Sequence, residues 1–241
     1  MKNNNFEPKF PKSINNNSKP HLFCPGCGHP IAMKNLGLII DKLKLQKKLA
    51  IGFDIGCSLL AWDFFNVDSF QTHHGRTVPV MVGLKLAKPE RTCLAYMGDG
   101  GAYAIGLQSL IWAVLRNNPI TTIVINNTLY AMTGGQSSPT TIKGEITDTT
   151  PCGKSDENIF FGPEFLRKIA KKSAYFARGI ITKPNELQNY FQKALENQIK
   201  NNSFSMVEVL SLCPTNWKTD AKKSFEFLEN KMAKRFPLGE F

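Results

Sequence analysis

Five short runs of apolar and β-branched residues, set between longer helical patterns, constrain the fold of this chain most. In the run 120–126 almost every residue is apolar or β-branched. Strands of this composition are buried on both faces, as in a parallel sheet covered by helices. The segments predicted as strands are residues 49–54, 92–97, 120–126, 174–178 and 205–210.

Helical periodicity fills the intervals, at residues 31–47, 78–87, 103–116, 163–172 and 185–201. The alternation of strand and helix predicts an α/β fold with an open, mostly parallel sheet and helices on both faces. Right-handed crossovers place the carboxyl ends of the strands along one edge, where ligands bind. The long segment 130–162 is rich in Thr, Gly, Ser and Pro, which favours a functional loop.

The length and the two ends of the chain predict its organisation. Most of the 241 residues suit one α/β domain, at 21–215. Residues 1–20 are rich in Asn, Lys and Pro and predict a disordered lead-in. Residues 216–241 predict a basic C-terminal arm, which either reaches a partner or lies on the surface as a helix.

Composition narrows the class of protein. The chain is 42% hydrophobic and 20% charged, as globular proteins are. It has no apolar run of the roughly 18 residues that span a bilayer, and its start lacks the apolar segment of a signal peptide. We therefore expect a cytoplasmic protein. The net charge of +11 comes from scattered basic residues without interleaved aromatics. That pattern disfavours nucleic acid and leaves open either solvated helix faces or a docking surface for an acidic protein.

A Gly-Asp-Gly sequence at 98–100 lies between a predicted strand and the helix that follows it. Glycines let the backbone approach a phosphate closely, and the first turn of a helix offers free N–H groups to it. Asp99 would repel a phosphate unless a cation such as Mg²⁺ lay between them. The next predicted strand ends in Asn126-Asn127, at the same edge of the sheet. The two strand ends therefore predict a site for magnesium and a diphosphate.

This pair of sequences resembles the diphosphate motif of thiamine-diphosphate enzymes. The resemblance implies that Asp99, the side chain of Asn127 and the backbone carbonyl of Leu129 bind Mg²⁺. It also implies that Gly100, Gly101, Ala131 and Met132 line the cofactor.

Four of the six cysteines form a second pattern. Cys24 and Cys27 are a C-x2-C pair before a predicted helix, and Cys57 and Cys213 each follow a predicted strand at the same sheet edge. Disulfides are unexpected in a cytoplasmic protein, whereas four thiolates can hold Zn²⁺ or a [4Fe–4S] cluster. Spacing leaves both metals open. Cys93 is predicted as a small buried residue, and Cys152 as an adventitious thiol in a loop.

The order of the motifs is similar to that of the β subunit of 2-oxoacid:ferredoxin oxidoreductases, over roughly residues 20–216. The matching sequences are Cys24-Pro25-Gly26-Cys27-Gly28-His29, Ile55-Gly56-Cys57-Ser58, His74-Gly75-Arg76, Gly98-Asp99-Gly100, Met132-Thr133-Gly134-Gly135-Gln136 and Cys213-Pro214-Thr215. The resemblance implies a thiamine-diphosphate-binding fold and one [4Fe–4S] cluster on Cys24, Cys27, Cys57 and Cys213. It also implies cofactor contacts from Ile55, Gly56, Cys57, Ser58 and His74, with His74 as the catalytic candidate. His29 is expected to cap a helix or to pack.

The implied activity is oxidative decarboxylation of a 2-oxoacid to acyl-CoA and CO₂, with electrons leaving through the cluster to ferredoxin. The Glu that activates thiamine diphosphate would come from a partner α subunit, so the chain alone is expected to be inactive. The apolar surroundings of Leu60 favour pyruvate or a branched-chain 2-oxoacid over 2-oxoglutarate. Gly101 departs from the family pattern, in which many members carry a second Asp. The alternatives are a non-redox thiamine-diphosphate decarboxylase or synthase subunit and a zinc-bearing nucleic-acid-binding module.

Overall fold

The molecule is built around one seven-stranded sheet. The computed structural model describes residues 10–15, 17, 20–156 and 158–241. The strands are β1 (Leu49–Phe53), β2 (Asp68–Gln71), β3 (Thr92–Gly98), β4 (Thr121–Asn126), β5 (Leu129–Tyr130), β6 (Gln136–Ser137), β7 (Tyr175–Ile180), β8 (Ser205–Leu210) and β9 (Gly239–Glu240). The sheet has the order β2-β1-β3-β4-β8-β7-β9, while β5 and β6 form a separate hairpin. All neighbours in the large sheet are parallel except β9, which runs antiparallel to β7.

Helices cover both faces of this sheet. They are α1 (His29–Lys42), α2 (Thr77–Ala87), α3 (Leu107–Leu115), α4 (Gly162–Ile169), α5 (Pro184–Asn201), α6 (Pro214–Trp217), α7 (Ala221–Phe227) and α8 (Ala233–Arg235). A 3₁₀ turn spans Cys57–Ala61, and π-helical turns span Gly101–Ile105 and Leu228–Met232. No helix among the residues described here has the length and apolar character needed to cross a bilayer.

The alternation of side chains along β3 shows how the two layers form. Leu94 and Tyr96 pack in the cluster that contains residues of α1 and α5, whereas Cys93, Ala95 and Met97 pack in the cluster with α2 and α3. Both faces of β3 are therefore buried, which explains why the strand is apolar almost throughout. The predicted mostly parallel α/β sheet with helices on both faces is confirmed, and Cys93 is fully buried as predicted.

The N-terminal prediction needs correction. Ile14 is buried and pairs with Phe65 in an antiparallel bridge, and the hydroxyl of Ser13 donates to the carbonyl of Gly37 at 3.0 Å. A disordered lead-in over residues 1–20 is thus wrong for residues 11–15, because Ile14 joins the apolar cluster beside α1. Residues 1–9, 16, 18 and 19 lie outside the described residues.

The C-terminal prediction is also corrected. Leu228, Met232 and Phe236 are fully buried against the domain, and β9 adds a strand beside β7. Residues 216–241 therefore do not form an arm that extends from the domain. Their apolar residues recur at helical spacing and face the core, as expected for the surface-helix alternative.

Some predicted helices were longer than the observed ones. Helix α1 ends at Lys42 rather than residue 47, since Lys44 takes a positive φ of 54° that turns the chain. The helix predicted at 103–116 starts instead as the π-helical turn Gly101–Ile105, and α3 begins at Leu107 after Gly106. The edge strands β2 and β9 were not predicted.

Candidate active site

A cavity opens at the carboxyl ends of β1, β3 and β4. Its walls come from the residues that follow these strands, together with the start of α1 and the turn before α2. The lining residues are His29, Ile55, Gly56, Cys57, Ser58, His74, Gly98, Asp99, Gly100, Gly101, Ile125, Asn127, Leu129, Tyr130, Ala131, Met132 and Thr133. Every residue predicted to bind the diphosphate cofactor or magnesium lines this one cavity. The strand ends that the sequence predicted to share one edge therefore do border a common cavity.

Asp99 is the most deeply buried charged group of the cavity, with 1% of its surface exposed. The hydroxyl of Ser138 donates to its Oδ2 at 2.6 Å, and the hydroxyl of Thr140 donates to the same oxygen. Burial raises the pKa of Asp99 to about 6, although these donors and the N–H of Gly100 oppose the rise. The nearby Glu208 acts in the same direction as burial. A cation bound at this carboxylate would offset both unfavourable effects.

The two asparagines at the end of β4 have different environments. Asn126 points away from the cavity: its amide donates to Oε1 of Glu208 at 2.6 Å, and its oxygen accepts from the N–H of Thr128 at 3.0 Å. Asn127 lines the cavity, and its side-chain oxygen accepts only a long bond, 3.3 Å, from the N–H of Leu129. Asn126 thus holds the turn, while Asn127 lines the same cavity as Asp99.

A layer of hydroxyl groups supports this turn from behind. The hydroxyl of Thr141 donates to the carbonyl of Thr128, and the hydroxyl of Thr128 donates to Glu145. The other oxygen of Glu145 accepts from the N–H of Ile142 at 3.0 Å, and burial raises the pKa of Glu145 to about 7. The sequence pointed to segment 130–162 but not to Ser138, Thr140 or Glu145. Their clustering in a Ser- and Thr-rich loop was the available signal.

The two histidines of the predicted motifs differ in exposure. His29 is buried at the start of α1, stacks on Phe23 and lies 3.1 Å from the hydroxyl of Tyr96 through its Nδ1. Burial lowers the pKa of His29 to about 3, so the ring is neutral at neutral pH. It packs rather than caps. His74 is exposed at the mouth of the cavity, on the turn between β2 and α2.

The four predicted cluster cysteines are neighbours. The C-x2-C turn closes through a bond from the N–H of Cys27 to the carbonyl of Cys24 at 3.1 Å. The N–H of Gly28 donates to the carbonyl of Leu212 at 3.1 Å, which holds this turn beside Cys213. Burial, together with a smaller contribution from the neighbouring thiols, raises the pKa of Cys27 and of Cys57 to about 12.

Cys57 belongs to both regions, because it lines the cavity and also interacts with Cys24, Cys27 and Cys213. Within the described ranges, no three Cys, His, Asp or Glu side chains converge as ligands of a single metal ion. Cys152 is exposed on a turn and does not line the cavity.

Comparison with known proteins identifies the domain that carries this cavity. Residues 54–209 match the family described as the C-terminal TPP-binding domain of thiamine pyrophosphate enzymes. The 2-oxoglutarate synthase subunit KorB of Methanothermobacter marburgensis is 37% identical over 210 residues, which cover 87% of this chain and 71% of that one. The chain belongs to the thiamine-diphosphate-binding subunits of the 2-oxoacid:ferredoxin oxidoreductases.

Two further similarities bear on this family. The ketoisovalerate oxidoreductase subunit VorA of Methanothermobacter thermautotrophicus is 34% identical over 224 residues, covering 91% of this chain and 47% of the relative. The chain thus spans about half the length of that VorA sequence. A structure described as the 2-oxoglutarate:ferredoxin oxidoreductase of Magnetococcus marinus, with 2-oxoglutarate, coenzyme A and succinyl-CoA bound, matches with a TM-score of 0.79 at 23% identity. The match covers 98% of this chain and 86% of that one, and it supports the fold.

The comparisons establish the family of this thiamine-diphosphate-binding subunit, but they do not test which of its residues bind metal. The family resemblance drawn from the motifs is confirmed, and thiamine diphosphate is confirmed as the cofactor of the domain. The magnesium ligands Asp99, Asn127 and Leu129, and the cluster ligands Cys24, Cys27, Cys57 and Cys213, stay predictions.

Proposed function

We propose that this chain forms part of an enzyme that oxidatively decarboxylates a 2-oxoacid to acyl-CoA and CO₂, and that electrons leave through a [4Fe–4S] cluster to ferredoxin. The observation that carries the proposal is the position of Cys57, which belongs both to the cofactor cavity and to the group of four cysteines. An electron acceptor held by these cysteines would adjoin the reacting cofactor. A decarboxylase without redox chemistry gives no reason for this arrangement.

The cavity residues suit magnesium and a diphosphate. Asp99, the side-chain oxygen of Asn127 and the carbonyl of Leu129 supply the hard oxygen ligands that Mg²⁺ prefers. Gly100 and Gly101 line the cavity where the π-helical turn begins, and glycines there would let a diphosphate approach the backbone closely. Thiamine diphosphate, when bound, supplies the electron sink that makes cleavage next to a keto carbon possible. The protein side chains hold it in place, and His74 at the cavity mouth offers a further contact.

The cysteines suit a cluster better than a single zinc ion. Four thiolates can hold a zinc ion, but Zn²⁺ has no redox chemistry and could not pass on the electrons of an oxidative decarboxylation. In a [4Fe–4S] cluster each thiolate binds a different iron, so the sulfur atoms surround a larger volume. Cys24, Cys27, Cys57 and Cys213 would hold such a cluster, and Cys57 would place it beside the cofactor cavity.

We propose that a partner α subunit completes the active site. Met132 and His74 line the cavity yet are exposed, so one side of the cofactor region is open in the isolated chain. VorA, a subunit by name, is about twice as long as this chain, which is consistent with further protein in the working enzyme. The partner would supply the Glu that activates the cofactor, and the basic surface would attract an acidic ferredoxin.

For the substrate, we propose an uncharged 2-oxoacid such as pyruvate or a branched-chain 2-oxoacid. The 3₁₀ turn that begins at Cys57 continues with Ser58, Leu59 and Leu60 and brings no positive charge to this side of the cavity. A dicarboxylic substrate would leave its second carboxylate without a partner there, which is unfavourable. The relatives named for 2-oxoglutarate and for ketoisovalerate are almost equally similar, so the assay must decide.

The test is an anaerobic assay of the complex copurified with its partner subunit. Pyruvate, 2-oxoisovalerate and 2-oxoglutarate would each be supplied with coenzyme A and a viologen acceptor. We expect viologen reduction that depends on coenzyme A and is faster with the first two acids. CO₂ release without viologen reduction would support the non-redox decarboxylase instead. Fastest turnover with 2-oxoglutarate would overturn the substrate proposal alone.

A further inference from the structure

Asp54 is a fully buried acid that the proposed function does not use. It follows β1 directly, next to the cavity edge of the sheet. Its Oδ1 accepts from the N–H of Gly75 at 2.7 Å and from the hydroxyl of Thr77 at 3.1 Å. Thr77 in turn lies 2.7 Å from the hydroxyl of Thr72. One carboxylate oxygen therefore fixes the turn 72–77, which carries His74 into the mouth of the cavity.

The second oxygen of Asp54 faces the diphosphate-binding turn. Its Oδ2 is buried and has no hydrogen-bond partner among the residues that the structure describes. A Cβ atom built on Gly101 would overlap this oxygen and would lie 3.2 Å from Cγ of the same carboxylate. Beyond Asp54, the nearest atom to that Cβ is Cε of Met97, at 3.9 Å. The carboxylate of Asp54 thus fills the space that a side chain at position 101 would need.

Glycines bring the two segments into direct backbone contact beside Asp54. A Cβ on Gly75 would lie 2.5 Å from the N of Gly106 and 2.8 Å from its Cα. A Cβ on Gly106 would lie 2.8 Å from the carbonyl oxygen of Gly75. The turn that carries His74 therefore packs against the segment that begins at Gly101, and Asp54 touches both partners of this junction.

We infer that Asp54 is a positioning residue for the cofactor site, which clamps the His74 turn to the π-helical turn Gly101–Ile105. The inference deepens the proposed function and rests on it, because it concerns how the same cavity is held in shape. It also gives a physical reason for Gly101: any side chain there collides with the acid at position 54. One side chain fits in this space, contributed from position 54 or from position 101.

The test measures the affinity of the partner-bound complex for thiamine diphosphate in excess Mg²⁺, by titration calorimetry. Removal of supporting contacts to a bound metal or cofactor costs about 10–100-fold, so we expect Asp54→Ala to raise the Kd by that order. Asp54→Asn keeps an acceptor for Gly75 and should bind nearly as wild type. Gly101→Ala displaces the carboxylate and should weaken binding like Asp54→Ala. The double change Asp54→Gly with Gly101→Asp should recover most of the affinity.

Asp41→Ala is the matched control, since Asp41 accepts backbone N–H bonds from Ser13 far from the cavity. It should lower the melting temperature without changing the Kd. Wild-type Kd in a folded Asp54→Ala variant would overturn the inference and leave the proposed function intact. If Asp54→Ala does not fold, the double variant Asp54→Gly with Gly101→Asp decides. Weak thiamine-diphosphate binding by that variant, at the wild-type melting temperature, would overturn the inference. Failure of the wild-type complex to bind would reject both claims.

Discussion

Arg178 is a buried cation whose removal tests how the cavity edge is supported. Its side chain is fully buried on β7. Nε donates to Glu208 at 3.0 Å, and the two terminal nitrogens donate to Glu164 at 2.6 and 2.7 Å. Glu208, also fully buried, accepts from the amide of Asn126 at 2.6 Å. The ion pair is therefore linked by hydrogen bonds to the turn that presents Asn127.

Replacement of Arg178 by Met leaves the carboxylate of Glu208 buried without a counter-charge. Breaking a buried ion pair in this way costs about 3–5 kcal/mol. For a chain of this size each kcal/mol lowers the melting temperature by roughly 2–4 °C. We therefore expect Arg178→Met to lose about 4 kcal/mol and to melt roughly 8–16 °C lower. Glu164 is 28% exposed and can be hydrated, so it adds little to this loss.

A double-mutant cycle with Glu208→Gln separates the ion pair from packing. The free energy of unfolding would be measured by urea denaturation for wild type, both single variants and the double variant. Removing both charges should recover part of the loss, with a coupling energy of about 2 kcal/mol or more. The reasoning fails if Arg178→Met costs less than about 1 kcal/mol, or if the two changes are additive.

Three further predictions concern the site. Asp99→Asn should weaken magnesium-dependent binding of thiamine diphosphate by about 10–100-fold, whereas Asp148→Asn on the exposed loop should not; equal affinities would remove Asp99 from the magnesium site. Burial raises the pKa of Glu145 from its ordinary 4.5 to about 7. The folded state therefore binds more protons between these values, and cofactor-free wild type should lose about 3 kcal/mol of stability relative to Glu145→Gln as the pH rises from 4.5 to 7. Parallel pH profiles in urea denaturation would contradict this. Cys213→Ala should abolish bound iron, while Cys152→Ala should retain it; iron loss from both variants would reject the ligand assignment.

The central strands were predictable because a strand that is buried on both faces has a recognisable local composition. Residues of β3 and β4 are buried on both faces, so each run is apolar or β-branched almost throughout. Strand β2 has exposed ends and spans only Asp68–Gln71, so it carries no such pattern. Strand β9 is shorter still. Strand β9 can pair with β7 because Leu228, Met232 and Phe236 are buried in the core and so hold the preceding segment against the domain. These are tertiary contacts, which local sequence does not show.

The site was predictable where chemistry and strand ends coincide, as at Asp99 and Asn127. It was not predictable where the partner is distant in sequence. Nothing local shows that Asp54 holds Gly75, or that Ser138 donates to Asp99. From the sequence, Asn126 and Asn127 look equivalent. Only the hydrogen bond from Asn126 to Glu208 reveals that Asn126 supports the turn.

The most direct test of the account is whether the cavity and the cysteines work as one redox site. The complex would be purified anaerobically and mixed with a 2-oxoacid and coenzyme A, without any external acceptor. Because Cys57 belongs to both the cavity and the cysteine group, we expect the iron–sulfur absorbance to bleach and a reduced-cluster electron paramagnetic resonance signal to appear. A complex that releases CO₂ from the 2-oxoacid, yet is iron-free or keeps its cluster oxidised, would contradict it.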